Sequence, residues 1–231
     1  MKQVFIIHGW TYDLDKWDSL VGVLRSHGIE PVQLRVPGLT APSKQVWDID
    51  GYIDWLGTQL AGSTKPVVIG HSNGGRIALS FIQKYPNKID KLILIDSAGI
   101  VHQATKARAK LSVLRGVAKV GKPLGKLPVV KKAFYRVIGA QDYLNAPPNM
   151  KKTMQNMLSA DQQLKLSTIK LPTTIIWGRD DSITPLADGK ELEDGIKGSR
   201  LHIIDGARHA PFYTHPEAVA DIIIDALKVS A

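Results

Sequence analysis

The pentapeptide Gly70-His71-Ser72-Asn73-Gly74 has the pattern G-x-S-x-G and lies between an apolar run and a segment of helical period. Between a strand and a helix, this pattern holds a serine on a tight, strained turn whose flanking positions tolerate little or no side chain. Ser72 would then be exposed at the carboxyl end of the sheet, where the positive N-terminus of the next helix favours an anionic intermediate. The pattern predicts a nucleophilic serine rather than an ordinary glycine-rich turn.

A serine hydroxyl needs a base to activate it and a third group to orient that base. The chain offers seven histidines: His8, His27, His71, His102, His202, His209 and His215. His209 lies in a loop just after the last predicted strand, at the edge where ligands collect in open α/β sheets. The others are placed less favourably, although His102 enters a long inserted segment and could face the pocket. His209 is the predicted general base.

The acid that orients the base is expected after the fifth predicted strand, where Asp180 and Asp181 are adjacent. Either carboxylate could accept a hydrogen bond from an imidazole ring at this edge of the sheet. The residues by themselves do not choose between the two, and the aspartate that is not used would be a solvated surface neighbour.

Short apolar runs that alternate with longer segments of helical period must position these residues. The alternation predicts an α/β fold with a doubly wound, mostly parallel six-stranded sheet. The predicted strands are Val4–Ile7, Pro31–Val36, Pro66–Ile69, Lys91–Ile95, Thr173–Trp177 and Leu201–Ile204. The predicted helices lie near Trp17–Leu24, Ile49–Leu60, Gly75–Tyr85 and Ala218–Leu227.

One connection, Ser97–Pro172, is too long for a crossover helix. Its own helical stretches lie at Ala104–Val120, Val129–Ile138 and Asn149–Leu158, separated by glycines and prolines. The pattern predicts a helical cap over residues 99–170, inserted into a core formed by residues 1–98 and 171–231.

The third of these helical stretches carries Met150, Met154 and Met157 on one face. Methionine side chains fill irregular shapes, so this face could form an adaptable substrate-binding wall above Ser72. It could equally be the buried face of an amphipathic helix. The two interpretations are compatible if the face lines the pocket.

The net charge of +9 is distributed unevenly. Residues 100–170 contain 14 Lys and Arg but two acids, which leaves 16 basic and 19 acidic residues elsewhere. A basic surface can attract nucleic acid, anionic lipid or anionic substrates. Because aromatic residues are few there and no nucleic-acid-binding motif occurs, we expect a solvated face and no nucleic-acid partner.

The chain has no cysteine, which excludes disulfides, thiolate catalysis and Cys-based metal sites. The apolar run near the N-terminus is too short for the core of a signal peptide. No apolar run approaches the length of a membrane span. We therefore expect a cytoplasmic protein without integral membrane association.

The serine pentapeptide, the aspartate pair and the histidine loop together resemble the α/β-hydrolase superfamily over almost the whole chain. Members commonly carry W-G-x-x-D-x-x-x-P after the fifth strand, and Trp177–Pro185 matches in the register that selects Asp181. The order Ser72, Asp181, His209 is also that of the family. Members of the family usually have two strands before the His-Gly loop, whereas this chain begins directly at the strand that leads to that loop. In this it resembles compact members with an all-parallel, six-stranded sheet.

An oxyanion hole follows from the same comparison. The backbone N–H of Asn73, immediately after the nucleophile, is one expected donor. The resemblance points to the backbone N–H of Trp10, in the loop His8-Gly9-Trp10, as the second. It implies neither a metal ion nor an organic cofactor.

The expected function is hydrolysis of small or medium carboxylic esters, including lactones, through an acyl-enzyme. A serine at this position excludes the haloalkane dehalogenases and epoxide hydrolases of the superfamily, which use a carboxylate nucleophile there. A thioesterase, a peptidase or a carbon–carbon bond hydrolase would share the same residues and stays open, as does a ligand sensor built on a hydrolase fold. The expected partner is a small-molecule ester or lactone, and the sequence does not indicate an oligomeric state.

Overall fold

A computed structural model describes residues 2–100 and 146–228, which form one sheet with helices on both faces. The strands are β1 Val4–Ile7, β2 Pro31–Leu34, β3 Val67–His71, β4 Lys91–Ile95, β5 Thr173–Gly178 and β6 Arg200–Ile204. The α-helices are α1 Asp18–Ser26, α2 Ile49–Gln59, α3 Asn73–Lys84, α4 Pro148–Ala160, α5 Leu186–Gly195, α6 Pro211–Thr214 and α7 Pro216–Lys228. Short 3-10 helices lie at Asp15–Trp17, Asp161–Gln163 and Leu166–Thr168.

The sheet has the strand order β2-β1-β3-β4-β5-β6, and every neighbouring pair is parallel. This confirms the predicted six-stranded α/β architecture. The central strands β3 and β4 are buried along their whole length, because helices cover both of their faces. All carboxyl ends meet at one edge, so the loops after β1, β3, β4, β5 and β6 gather there.

Alternate residues of the strands pack into two separate hydrophobic cores, one on each face of the sheet. In β1, Phe5 and Ile7 face the core that α2, α3, α4 and α5 complete. Val4 and Ile6 face the opposite core, which α1 and α7 complete. This alternation follows from the two-residue period of a strand. Because helices pack on both faces, the sheet is doubly wound.

Some boundaries differ from the sequence-based expectation. Helix α3 begins two residues before Gly75, because the carbonyl of Ser72 already accepts the N–H groups of Gly75 and Arg76 at 3.0 and 3.2 Å. Strand β2 ends at Leu34 rather than Val36, since the Val36 carbonyl closes a turn. Helices α5 and α6 were not predicted, because α5 has few apolar residues and α6 is a single turn.

The helix predicted over 149–158 is present as α4, and it docks on the segment before α2. The backbone N–H of Trp47 donates to Thr153 Oγ1 at 2.8 Å, and the Asn156 side chain donates to the Trp47 carbonyl at 3.0 Å. The other two helices predicted for the cap lie outside the described residues, so the cap over residues 99–170 stays a prediction. No helix within 2–100 or 146–228 is long and apolar enough to cross a bilayer.

Candidate active site

Ser72 occupies the turn between β3 and α3 with a φ of 49°. This backbone conformation is strained for any residue other than glycine. The turn packs tightly against β1, since a Cβ at Gly74 would collide with the main-chain oxygen of Ile7. On the other side, the Ser72 N–H donates to the Ile95 carbonyl at 3.1 Å, and the Ser72 carbonyl accepts from the Ala98 N–H at 3.0 Å. These contacts hold the strained turn in place.

Three side chains from three loops form one chain of hydrogen bonds. Ser72 Oγ lies 3.0 Å from His209 Nε2, and His209 Nδ1 lies 2.7 Å from Asp181 Oδ2. Because a carboxylate only accepts, Nδ1 carries the proton, and Nε2 is left to accept the proton of the serine hydroxyl. The side chains that the sequence analysis selected therefore meet in the order required to activate a serine.

The two adjacent aspartates have different environments. Asp180 is exposed, whereas Asp181 is 6% exposed. Burial raises the pKa of the Asp181 carboxyl. Hydrogen bonds and charge from His209, with hydrogen bonds from Thr184 and Ile183, outweigh this effect and place the pKa below its ordinary value. Asp181 is thus held as the carboxylate that the histidine needs.

Thr184 is a member of this site that the sequence analysis missed. Its Oγ1 donates to Asp181 Oδ2 at 2.7 Å, and its backbone N–H donates to Asp181 Oδ1 at 3.1 Å. A threonine three residues after the acid is the local signal that could have indicated it, because such side chains close turns with a preceding aspartate.

A second buried carboxyl, Asp96, follows β4 and was also missed. It is fully buried with a φ of 40°, and its Oδ1 accepts the N–H of Gly178 at 2.8 Å. Its Oδ2 is buried without a partner in the described part of the chain. Burial raises the pKa of Asp96 well above its ordinary value, and the charge of Asp181 adds to this effect. The structure therefore favours a protonated Asp96 beside an ionised Asp181.

We expect Asp96→Asn to gain stability relative to the wild type as the pH rises. An unfolded aspartate ionises near pH 4. Above that pH, folding must return a proton to Asp96, so its contribution to the free energy of unfolding falls as the pH rises towards the raised pKa of the folded protein. Asparagine takes up no proton. Urea unfolding at about pH 4 and about pH 7 measures the free energy of unfolding of both proteins. The value for the variant minus that for the wild type should be larger at the higher pH.

The exposed Asp180→Asn variant is the control for this measurement. It should show no comparable divergence from the wild type over the same range. A stability difference of Asp96→Asn that does not change with pH would mean that Asp96 is ionised in the folded protein.

Two buried histidines position the loops around Ser72. His71 Nε2 donates to the main-chain oxygen of His209 at 2.7 Å, and burial lowers the pKa of His71 to about 3. His8 bridges the Gly9 carbonyl and Thr40 Oγ1, each at 2.7 Å, and burial lowers its pKa to about 4. Both rings are therefore neutral at physiological pH and act as fixed hydrogen-bonding groups.

The loop after β1 reaches Ser72 because position 9 is a glycine. A Cβ at Gly9 would lie 2.9 Å from Ser72 Cβ and 2.8 Å from His71 Nδ1. Trp10 and Asn73, the two residues predicted to supply oxyanion-hole N–H groups, both line the cavity beside Ser72. Asn73 is also the first residue of α3, where backbone N–H groups lack partners within the helix.

The cavity beside Ser72 is narrow and mostly apolar. Its described lining consists of Trp10, Ser72, Asn73, Arg76, Ala98, Met154, Met157 and Leu158. Met154 and Met157, two of the three methionines on the predicted face, therefore line this cavity, and their role as a substrate wall stays a prediction. Met150 lies elsewhere, packed against Gly38 in the hydrophobic core. His102 lies outside the described residues.

Arg76 is a buried cation in this lining that the sequence analysis did not single out. Its guanidinium donates to both carboxylate oxygens of Asp161, at 2.6 and 2.9 Å, and to Asn73 Oδ1 at 2.7 Å. The bidentate pair joins α3 to the end of α4 and balances the charge of the arginine. The cavity wall thus contains a cation but little free positive charge.

His71, Asp96 and His209 have potential metal-ligating atoms within 4.8 Å of one another, the one such group among residues 2–100 and 146–228. Both ring nitrogens of His209 already bond to Ser72 and Asp181, and His71 Nε2 bonds to a main-chain oxygen. We therefore assign these side chains to the hydrogen-bond network and derive no metal chemistry from them.

The chain resembles known proteins both in sequence and in fold. The α/β hydrolase fold family matches over residues 2–216. Over 97% of its length, the chain is 29% identical to the pimeloyl-[acyl-carrier protein] methyl ester esterase of Neisseria meningitidis serogroup C, of which 93% is covered. The protein of that name from Aromatoleum aromaticum is 25% identical, over 96% of this chain and 97% of the relative.

Solved structures show the same fold at lower identity. An α/β hydrolase enzyme from a sediment metagenome of the Mar Chica lagoon, Morocco, has a TM-score of 0.71 at 19% identity, covering 98% of this chain and 90% of that one. A thermophilic esterase from Thermogutta terrifontis has a TM-score of 0.66 at 21% identity, covering 99% and 90%. With the family match over residues 2–216, these likenesses confirm the resemblance noted in the sequence. The chain belongs to the α/β-hydrolase fold family.

Proposed function

We propose that the protein is a serine-dependent hydrolase of carboxylic esters with small or medium acyl groups. The observation that carries the proposal is the hydrogen-bond chain from Ser72 Oγ through the His209 ring to Asp181, at 3.0 and 2.7 Å. A strained serine, an imidazole nitrogen placed to accept its proton and a buried carboxylate in this order can generate a nucleophile.

In the proposed reaction, Ser72 Oγ forms a bond to the ester carbonyl carbon while its proton passes to His209 Nε2. The backbone N–H groups of Trp10 and Asn73 stabilise the oxyanion. When the intermediate collapses, the bond to the alcohol oxygen breaks and His209 returns its proton to that oxygen. A water molecule then attacks the acyl-enzyme, gives its proton to His209 and releases the carboxylic acid, after which Ser72 recovers its proton.

The relatives support ester chemistry and suggest where to begin with substrates. The Neisseria and Aromatoleum relatives are named for a methyl ester of an acyl chain on a carrier protein. We therefore take methyl esters of medium acyl chains as the first substrate class, with lactones second. The apolar side chains of Met154, Met157 and Leu158 beside Ser72 are suited to such chains.

Two measurements on the wild-type protein test the proposal. Methyl and p-nitrophenyl esters of increasing acyl length, with lactones and matched thioesters, should show saturable turnover with an optimum in chain length. An organophosphonate probe should modify the protein once, on the peptide that contains Ser72, as mass spectrometry would show. Labelling should decrease when a good substrate is present.

Failure of both measurements would overturn the proposal. Faster turnover of thioesters than of the matched oxygen esters would reassign the protein to thioester chemistry. One slow turnover that leaves a persistent acyl adduct would instead favour a ligand sensor on the same fold.

A further inference from the structure

Asn73 holds a hydrogen-bond donor that no described group satisfies. Asn73 is 4% exposed, and its Oδ1 accepts from Arg76 Nη1 at 2.7 Å. Because arginine only donates, this contact identifies which end of the amide is the oxygen. The amide nitrogen Nδ2 therefore occupies the other side, where it is buried without a partner.

Trp10 presents a second donor of the same kind. Its indole Nε1 is also buried without a partner, and an indole nitrogen can only donate. In the described part of the chain, four side-chain nitrogen or oxygen atoms are buried without a hydrogen-bond partner, and they belong to Trp10, Gln33, Asn73 and Asp96. Trp10 and Asn73 both line the cavity beside Ser72, so two of the four unpartnered atoms belong to residues of the proposed site.

Apart from Ser72, whose hydroxyl contacts His209, the other side chains of the described cavity lining offer these donors no strong acceptor. Ala98 and Leu158 have no polar side-chain atom, and the thioethers of Met154 and Met157 are weak acceptors. Arg76 offers only further N–H groups. A buried donor without an acceptor is costly, so an acceptor supplied by a bound molecule would relieve a defect that the protein itself leaves.

The charge of the cavity indicates what kind of acceptor fits. The Arg76 guanidinium is held by both oxygens of Asp161, so its positive charge is already balanced. Within the described lining a carboxylate would meet no free cation, and its burial there would be unfavourable. A neutral carbonyl, ether or hydroxyl oxygen requires only the two N–H groups.

We propose that Trp10 Nε1 and Asn73 Nδ2 form a binding subsite for a neutral oxygen atom of the substrate, separate from the scissile ester carbonyl. The proposal rests on the proposed ester hydrolysis and names its substrate class: esters with a second, uncharged oxygen near the reacting bond. The backbone N–H groups of the same two residues are expected to hold the scissile oxygen, so one pair of residues would bind two oxygens of a substrate.

Ester pairs that differ by one oxygen test this subsite. On the acyl side, the p-nitrophenyl ester of 3-methoxypropanoate is compared with that of pentanoate. On the alcohol side, 2-methoxyethyl butanoate is compared with butyl butanoate. Within each pair, an ether oxygen replaces a methylene group. The wild type should prefer the oxygen-containing ester of one pair by about fivefold to tenfold in kcat/KM, as expected when a substrate offers one additional hydrogen-bond acceptor.

The ratio within each pair is compared between variants, which cancels intrinsic reactivity and any general loss of turnover. Asn73→Leu and Trp10→Phe should each reduce the preference, and the double variant should abolish it. Met157→Leu changes the same wall without removing a donor, and it should keep the ratio of the wild type. Binding of the same esters to Ser72→Ala, measured by calorimetry, should show the same preference without turnover.

The outcomes separate the subsite from the proposed function. Equal kcat/KM within both pairs, or a preference that survives in the double variant, would overturn the subsite while leaving ester hydrolysis intact. Stronger binding of monomethyl succinate than of the ether esters would show a carboxylate site instead. If the wild type hydrolyses none of the esters, the proposed function fails, and the calorimetric ratio still decides the subsite.

Discussion

Ser72→Ala is expected to lower kcat for the best ester substrate by about 10⁶-fold, because it removes the oxygen that is proposed to form the acyl-enzyme. Residual hydrolysis above the rate in water should remain, since the oxyanion donors and the cavity would still bind the transition state. Steady-state kinetics of the purified variant measures the loss, and single-turnover experiments should detect no acyl intermediate.

Ser182→Ala is a suitable control, because Ser182 is an exposed serine beside the proposed acid. It should retain turnover close to that of the wild type. Equal activity of Ser72→Ala and the wild type would contradict the assignment of the nucleophile. Equally low activity of both proteins would favour a binding protein.

Stability measurements add an independent readout at the same position. Both alanine and glycine remove the nucleophile, but the φ of 49° is strained only for alanine. Ser72→Gly should therefore be more stable than Ser72→Ala, by about 1 kcal/mol. This difference would show that strain at position 72 is retained at the expense of stability.

Asp181→Asn is expected to lower kcat by about 10⁴-fold. The asparagine amide can donate to His209 Nδ1, which would move the ring proton to Nε2. The ring could then no longer accept the Ser72 proton. The protein should remain folded, because the substitution keeps the shape of the side chain.

Asp180→Asn is the matched control, since it makes the same chemical change one residue earlier. Asp180 is exposed, and its backbone N–H, which bonds the Ala207 carbonyl at 2.9 Å, is unaffected by the substitution. It should therefore keep nearly wild-type kcat. Similar losses in the two variants, or a larger loss in Asp180→Asn, would contradict the assignment of Asp181 and point to the neighbouring position.

The strands and the serine turn could be predicted from local patterns. Buried parallel strands need continuous apolar runs, and the strained turn at Ser72 needs small neighbours. Both features can therefore be recognised from residues that are consecutive in the sequence. The choice of His209 required only that a loop after the last strand lie at the carboxyl edge of the sheet. Choosing Asp181 over Asp180 required the family resemblance, because residues next to each other in a loop share the same local pattern.

The tertiary structure alone placed Asp96, His71, Arg76 and the unsatisfied donors of Trp10 and Asn73. Asp96 approaches Asp181 because β4 and β5 are neighbours in the sheet, although the two residues are far apart in sequence. Arg76 meets Asp161 only when α4 has docked near α3. Local sequence determined which residues could carry the chemistry. Burial and long-range pairing decided their protonation and their partners, because both depend on which strand ends meet at the edge of the folded sheet.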